Sequence, residues 1–451
     1  MYQKINWIAR KFVDFMEWLR QKTIHKEIGT ATLQAIPLWI ASLLTGLVAV
    51  AYEKLFSVFE HFGHLLTLQH PALSFIFIPC FFLLSWGLVR KFAPTARGSG
   101  IPQLMASIEL ASPGNDARVD KLLSLKIAFI KIISSLSLLL GHGAIGREGP
   151  TLQISASIFR FINRILPDFW PPVSKRIMLV TGGASGLAAA FNTPLGGIVF
   201  VVEELTKTHL THFRTAVFAS VIIAGMTAQA MLGPYLYLGY PKITPVGFSF
   251  VGVILLTGTV SGMMGAYLAK LLLILSDWKN RHFSQLYQQI IFVLVLGLLF
   301  ASLLFLTGAD SGGSGKSLMN RLLFDQHKQV HWYEFPGRFL GPIISYLSGG
   351  AGGVFATSLS AGAALGALIA ETLQLNQANY NLVMLVSMVG YLTGVTRSPF
   401  TSAILVLEMT DRHSAIFYLL LGAIAASLIS HYVDRKSFYE HLKEKFMAET
   451  I

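Results

Sequence analysis

The sequence predicts an all-α polytopic membrane protein, built as two repeats with broken and re-entrant helices that meet near the bilayer midplane. Three observations predict it: long apolar runs almost free of charge, an ordered internal duplication, and glycine-rich breaks of which one holds a carboxylate.

The chain has 451 residues, of which 53% are hydrophobic and 13% charged, about half the charged share of soluble domains at roughly 25%. Its mean hydropathy is +0.59. Windows from Leu33 to Ala51, Leu73 to Val89, Val251 to Ala269, Ile290 to Leu306 and Ile416 to Ile429 approach the roughly 20 residues a spanning helix needs. Other apolar windows are shorter or interrupted by glycine.

Residues 1–28 carry Lys4, Arg10, Lys11, Arg20, Lys22 and Lys26 without an apolar core, the pattern of an amphipathic helix on the cytoplasmic surface rather than a signal peptide. Lys207 and Arg214, Lys279 and Arg281, and Arg435 and Lys436 mark further cytoplasmic segments by the positive-inside tendency, which places both termini inside. The net charge of +12 is spread over short loops and termini, so topology accounts for it and nucleic acid is not an expected partner. Cys80 is the single cysteine and lies in an apolar run. It allows no intramolecular disulfide or cysteine metal site and is expected to serve packing.

Asn192-Thr193-Pro194-Leu195 leads through apolar residues to Glu203, and Arg397-Ser398-Pro399-Phe400 leads likewise to Glu408, about 205 residues later. Upstream, Gly98-Ser99-Gly100 matches Gly313-Ser314-Gly315, and Gly146 to Pro150 matches Gly353 to Thr357. Three pairs in the same order indicate duplication. Turn signals at Gly233-Pro234 and Gly239-Tyr240-Pro241 divide the chain into a first membrane repeat at 29–240, a second at 241–433, and a short cytoplasmic tail at 434–451. Repeats inverted in topology would bring the broken helices together at the midplane, where secondary transporters bind substrate.

At Gly98-Ser99-Gly100-Ile101-Pro102 the glycines permit close backbone approach, and proline suits the first helical turn, where its missing N–H costs nothing. Gly146 to Pro150 has the same grammar, and Gly352 to Thr357 places glycines ahead of an apolar helical run. A helix start offers free N–H groups and partial positive charge, so it holds an anion without a full counter-charge and lets it leave again. The Ser99 hydroxyl adds a donor. Glu148, in Gly146-Arg147-Glu148-Gly149-Pro150, is an ionisable group in an apolar boundary, which by its cost points to function. The alternative for an isolated glycine motif such as Gly313 to Gly315 is close helix packing alone.

These segments resemble the signature segments of the CLC family of chloride channels and chloride/proton antiporters, from about residue 30 to residue 440. The resemblance implies a CLC-type fold, chloride and protons as the transported species in a bacterial inner membrane, membrane lipid as the surroundings, and a homodimer with one pathway per subunit. It also implies no cofactor, no enzymatic activity and, since only a short tail follows residue 440, no nucleotide regulation through paired cytoplasmic domains. At matching positions, Ser99 and Tyr439 would give hydroxyls to a central chloride and the N–H groups of Val354 and Phe355 would complete the site. Arg147 and Gly149 flank the gate Glu148, whose carboxylate would occupy an anion site near the Gly149 helix start when ionised and leave it when protonated.

The family's antiporters need a second, cytoplasm-facing carboxylate, for which Phe200-Val201-Val202-Glu203-Glu204 offers two candidates. Glu204 takes the proton role by alignment; Glu203, repeated as Glu408, takes a bracing role. A passive chloride channel with the same gate and no proton coupling is the alternative. Two positions depart from the family pattern: Thr357 stands where proline is common, and Tyr439 follows Lys436-Ser437-Phe438, where relatives often have proline second. In the family that the chain resembles, serine at the Ser99 position goes with chloride preference.

Ser311-Gly312-Gly313-Ser314-Gly315-Lys316-Ser317 imitates the end of a phosphate-binding loop, but Asp310 stands where the first glycine is required, and no strand-loop-helix context surrounds it. His61, His64, His209 and His212 lack a supporting carboxylate cluster for a metal. His142 is expected to be a hydrogen-bonded helix-end histidine, and Lys131 an internal electrostatic brace.

Overall fold

The computed structural model describes residues 30–205, 214–233, 236–244, 247–325 and 328–450, together with Lys11, Asp14 and Trp18. The expected N-terminal amphipathic helix lies almost wholly outside the described residues. Within them the chain forms helices and no strands, apart from two isolated bridges between loops.

The first series comprises α1 (Thr30–Gln69), α2 (Ser74–Phe92), α3 (Ile101–Glu109), α4 (Asp116–Leu122), α5 (Leu125–Leu140), α6 (Glu148–Arg164), α7 (Lys175–Phe191), α8 (Pro194–Phe200) and α9 (Arg214–Leu232). The second comprises α10 (Val251–His282), α11 (Leu286–Thr307), α12 (Lys316–Phe324), α13 (Glu334–Leu347), α14 (Phe355–Thr372), α15 (Gln377–Thr396), α16 (Pro399–Thr410) and α17 (Ile416–Val433), followed by α18 (Phe438–Thr450). Apart from α4, which has no counterpart among the described residues of the second series, both run in the same order: a long helical pair, a short helix after a double-glycine loop, a helix ending at the next break, two largely buried helices, a helix opened by proline, and a final apolar helix.

Eight helices among the described residues are long and apolar enough to cross a membrane. The five apolar windows fall in five of them. Asp116–Leu140, Thr215–Leu232 and Phe355–Thr372 complete the set; the last is mostly buried and rich in alanine and glycine, so its hydropathy is modest. Helix α1 has 40 residues, about 60 Å at 1.5 Å per residue, twice the hydrocarbon thickness of roughly 30 Å. It must cross obliquely or project beyond the bilayer.

Small residues set the interhelical distances, as expected where lipid gives no hydrophobic drive between helices. On α10, Gly262 lies against Ala426 of α17, and a Cβ on Gly265 would collide with the Tyr391 carbonyl oxygen of α15. Cys80 departs from its expected packing role: it sits on α2 and is exposed, because an outward face in lipid tolerates a thiol as readily as a core does.

The two series are joined by exchanged contacts. The Gly146 N–H donates to the Gly353 carbonyl at 2.8 Å and the Gly353 N–H donates to the Gly146 carbonyl at 2.8 Å. The Leu195 and Gly196 N–H groups at the start of α8 donate to the Glu408 carboxylate at 3.0 and 2.6 Å. The Phe400 and Thr401 N–H groups at the start of α16 donate to Glu203 at 3.1 and 2.6 Å, and the Thr401 hydroxyl adds a third bond at 2.7 Å. Contacts of the form i to j′ and i′ to j are the signature of a two-fold relation, here within one chain. Glu203 thus occupies the bracing position assigned to it.

Hydrogen bonds to charged groups contribute about 1.5–3 kcal/mol, so Glu408→Ala and Glu203→Ala are each expected to lower stability by about that amount. Thermal unfolding of purified protein in detergent checks this, and a change within experimental error for both would remove the carboxylates from the seam.

Candidate functional site

Ser99 lies in the loop between α2 and α3, where Gly98 and Gly100 adopt φ values of +64° and +107° that a side chain would disfavour. The Gly98 N–H donates to the Gly350 carbonyl at 2.9 Å and its own carbonyl accepts from the Gly352 N–H at 3.1 Å. Helix α3 begins directly after Gly100 with proline in its first turn and no side-chain cap. Ser99 is thereby fixed against the loop that introduces α14.

Gly149, on the first turn of α6, approaches the same serine so closely that a Cβ there would collide with Ser99 Oγ. Tyr439, on the first turn of α18, is fully buried and its hydroxyl faces Ser99. The two hydroxyls face each other, and neither is bonded to any other protein group among the described residues. A buried hydroxyl pair can satisfy at most one of its two donors internally, which leaves at least one proton for a ligand to accept.

Val354 is the N-cap of α14 and Phe355 its first residue, again without a side-chain cap. Both are buried. The Ser358 N–H already bonds to the Val354 carbonyl at 3.0 Å, so the N–H groups preceding it are the orphan donors of the helix start. Thr357, in the family's proline position, is fully buried with its hydroxyl unpaired; it adds another donor beside this start.

Glu148 opens α6 and is 1% exposed. Its Oε2 lies beside Gly146, between its own N–H at the start of α6 and the Ala356 N–H on the first turn of α14, without a formed hydrogen bond to either. The expected location near the Gly149 helix start is therefore extended: a carboxylate of the first series meets a helix start of the second. Arg147 turns its guanidinium to Glu53 of α1 in an ion pair and donates to the Ala190 carbonyl at 3.2 Å, while its Nε stays 4.0 Å from Glu148 Oε1. Gly149 contributes through the space it leaves for Ser99.

Glu204 is buried on the π-helical turn that continues α8, and the Ser398 hydroxyl donates to it at 2.7 Å. Ser398 is the N-cap of α16, so the adjacent Glu203 and Glu204 address the same helix start, one through its amides and one through its cap. Helix α18, which delivers Tyr439, is anchored by Asp434, which accepts from the Lys436 N–H at 3.0 Å and faces His441 at 3.1 Å. Burial opposes the charge of this carboxylate, but these donors and Arg397 outweigh it and hold the group below its usual range.

The internal cations are structural. Lys131, fully buried, donates to the Ala96 carbonyl at 3.0 Å; Arg338, at the matching position of the second series, donates to the Gly312 and Gly313 carbonyls at 2.7 and 3.1 Å. Each stiffens the loop before a short helix. His142 bonds to the Ala309 carbonyl at 2.8 Å, as expected of a helix-end histidine. The loop from Gly308 to Gly315 does more than pack: the Ser314 N–H donates to Glu60 at 2.5 Å. Glu53, Glu60 and Arg338 were not recognised from sequence. Glu53 and Glu60 lie seven residues apart in α1, two turns on one face, and carboxylates within an apolar helix carry the same signal that singles out Glu148.

A family model described as voltage gated chloride channel matches residues 80–431. The chain belongs to this family. It is an integral multi-pass membrane protein. It is 28% identical to the H(+)/Cl(-) exchange transporter ClcA of Salmonella typhi, over 91% of this chain and 88% of that one. The ClcA of Salmonella agona matches at 28% identity with the same coverage. Among solved structures, the fold resembles a slow cyanobacterial Cl-/H+ antiporter with a TM-score of 0.78 at 23% identity, covering 92% of this chain and 98% of that one. A CLC-type fluoride/proton antiporter gives 0.74 at 20% identity, covering 89% and 96%.

Gly149→Ala should displace Ser99 and weaken chloride binding by about tenfold, the loss of roughly one charge-assisted hydrogen bond. Isothermal titration of the purified protein with chloride measures it; unchanged affinity would separate Ser99 from the anion.

Proposed function

We propose that the protein exchanges chloride for protons across the membrane through a dehydrated pathway gated by Glu148. The observation that carries this is a pair of buried carboxylates held in different ways. Glu148 rests at a helix start, where an anion is held by dipole and N–H groups that chloride satisfies equally well. Ionised, it occupies an anion position; protonated, or displaced by chloride, it vacates that position, so each ion biases the other. Ser99, Tyr439 and the N–H groups of Val354 and Phe355 bind the central chloride, with Arg147 holding the loop and Gly149 giving room.

Glu204 accepts protons on the opposite side. Glu203 is unsuited to this, since three donors fix it, whereas the hydroxyl on Glu204 can reorient to serve either protonation state. The relatives named as H(+)/Cl(-) exchange transporters support exchange over passive conduction. We place the protein in a bacterial inner membrane with both termini cytoplasmic, needing no cofactor, divided into repeats near residue 240 between α9 and α10. A homodimer with one pathway per subunit accords with outward apolar residues on α9 and α17, among them Met226 and Phe417.

In liposomes holding the purified protein, an imposed pH gradient is expected to drive chloride movement against its own gradient. A chloride flux indifferent to pH would leave the passive channel as the correct account. Glu148→Gln, which mimics the protonated side chain, should abolish proton transport and retain chloride flux. Glu204→Gln should likewise uncouple the ions, with Glu203→Gln keeping them coupled; the reverse pattern would exchange the roles of the pair. Ser99→Pro is expected to raise nitrate flux relative to chloride.

A further inference from the structure

A cleft of about 330 Å³ opens beside the C-terminal helix, between the ends of α2, α10, α11 and α18. Three cations, Arg90, Arg97 and Lys279, line it against one carboxylate, Glu449. Arg97 donates to Glu449 at 2.7 Å, and both side chains are well exposed, at 40% and 46%, where an ion pair is worth little and is readily exchanged. Arg90 lies over the Trp86 ring at 5.3 Å and bonds to Gln289. Lys279 donates to the Leu347 carbonyl at 2.8 Å. Neither Arg90 nor Lys279 is joined to a carboxylate among the described residues.

We propose that this cleft binds a phosphate-bearing anion, with the phosphate held between Arg90, Arg97 and Lys279. Basic pockets between spanning helices at the membrane surface recognise such groups, and arginine forks match phosphate oxygens. The chemistry is shared by an anionic lipid headgroup and a soluble polyphosphate. Phe92, Leu286 and Tyr287, exposed at the helix ends that frame the cleft, suit the acyl portion of a lipid.

The cleft adjoins three segments next to the hydroxyl pair. Arg97 is two residues from Ser99; Glu449 and Phe446, the latter under the Arg97 guanidinium at 4.7 Å, lie on the helix that carries Tyr439; Lys279 and Trp86 flank Gly349 in the loop leading to Val354. A phosphate that takes Arg97 from Glu449 unties the Ser99 loop from α18. The ligand thereby adjusts the spacing of Ser99 and Tyr439 without entering the ion path.

The test titrates short-chain phosphatidylglycerol, and separately inorganic pyrophosphate, onto the full-length protein in phosphatidylcholine nanodiscs, with binding rather than transport as the readout. Arg90→Gln/Lys279→Gln should weaken the bound ligand about tenfold, and Glu449→Gln should tighten it, a gain that misfolding cannot mimic. Dependence confined to phosphatidylglycerol identifies a lipid, and dependence confined to pyrophosphate a soluble ligand. If neither ligand binds, or if both variants bind as the unaltered protein does, the proposal is wrong, whatever the outcome of the exchange measurements.

Discussion

The architecture depends on one constraint: a helix that starts inside the membrane leaves N–H groups that water cannot reach, and each must find a negative partner. The chain solves this with carboxylates sent from a distance. Glu203 satisfies α16, Glu408 satisfies α8, and Glu60 meets the Ser314 N–H before α12, whereas Glu148 lies beside the start of α14 without forming a hydrogen bond to it. At the loop before α3 no carboxylate arrives among the described residues, and the Ser99 hydroxyl faces only that of Tyr439.

The pseudo-symmetry is informative where it fails. Ser99 and Ser314 occupy matching places, yet only Ser314 is met by a carboxylate. Glu148 and Phe355 match as well, so the second series presents an aromatic ring where the first presents an ionisable group. Lys131 and Arg338 stay equivalent because both hold loops in place. Duplication thus supplied two frames of like geometry, and the difference between fixed and exchangeable negative charge made one of them a candidate transport path.

Much of this was legible in the sequence because glycine, proline and serine at a helix start leave a local pattern. The breaks at Gly98, Gly146 and Gly353 and the pairing of Pro194 with Glu203 and Pro399 with Glu408 needed no tertiary information. Glu53 and Glu60 escaped because the apolar window containing Leu33 to Ala51 ends where charge begins, although the helix continues to Gln69. Arg338 sits in a helix of mixed polarity, and only the fold brings its guanidinium under a loop. Cys80 lies in an apolar run whichever face it takes, since lipid and core impose the same composition. The departure of α18 from the family pattern before Tyr439 did not prevent its hydroxyl from facing Ser99.

The exchange of Glu203 and Glu408 across the seam also bears on how the chain is made. Glu203 emerges from the ribosome about two hundred residues before the amides of Phe400 and Thr401 that receive it, and α8 stays without its partner until Glu408 follows. Neither series, severed from the other, retains the acceptors and donors its own helix ends require. The seam can therefore close only once Glu408 and the start of α16 have been made, near the end of synthesis, and until then the carboxylate of Glu203 and the open amides of α8 lack the partners that the membrane interior demands of them.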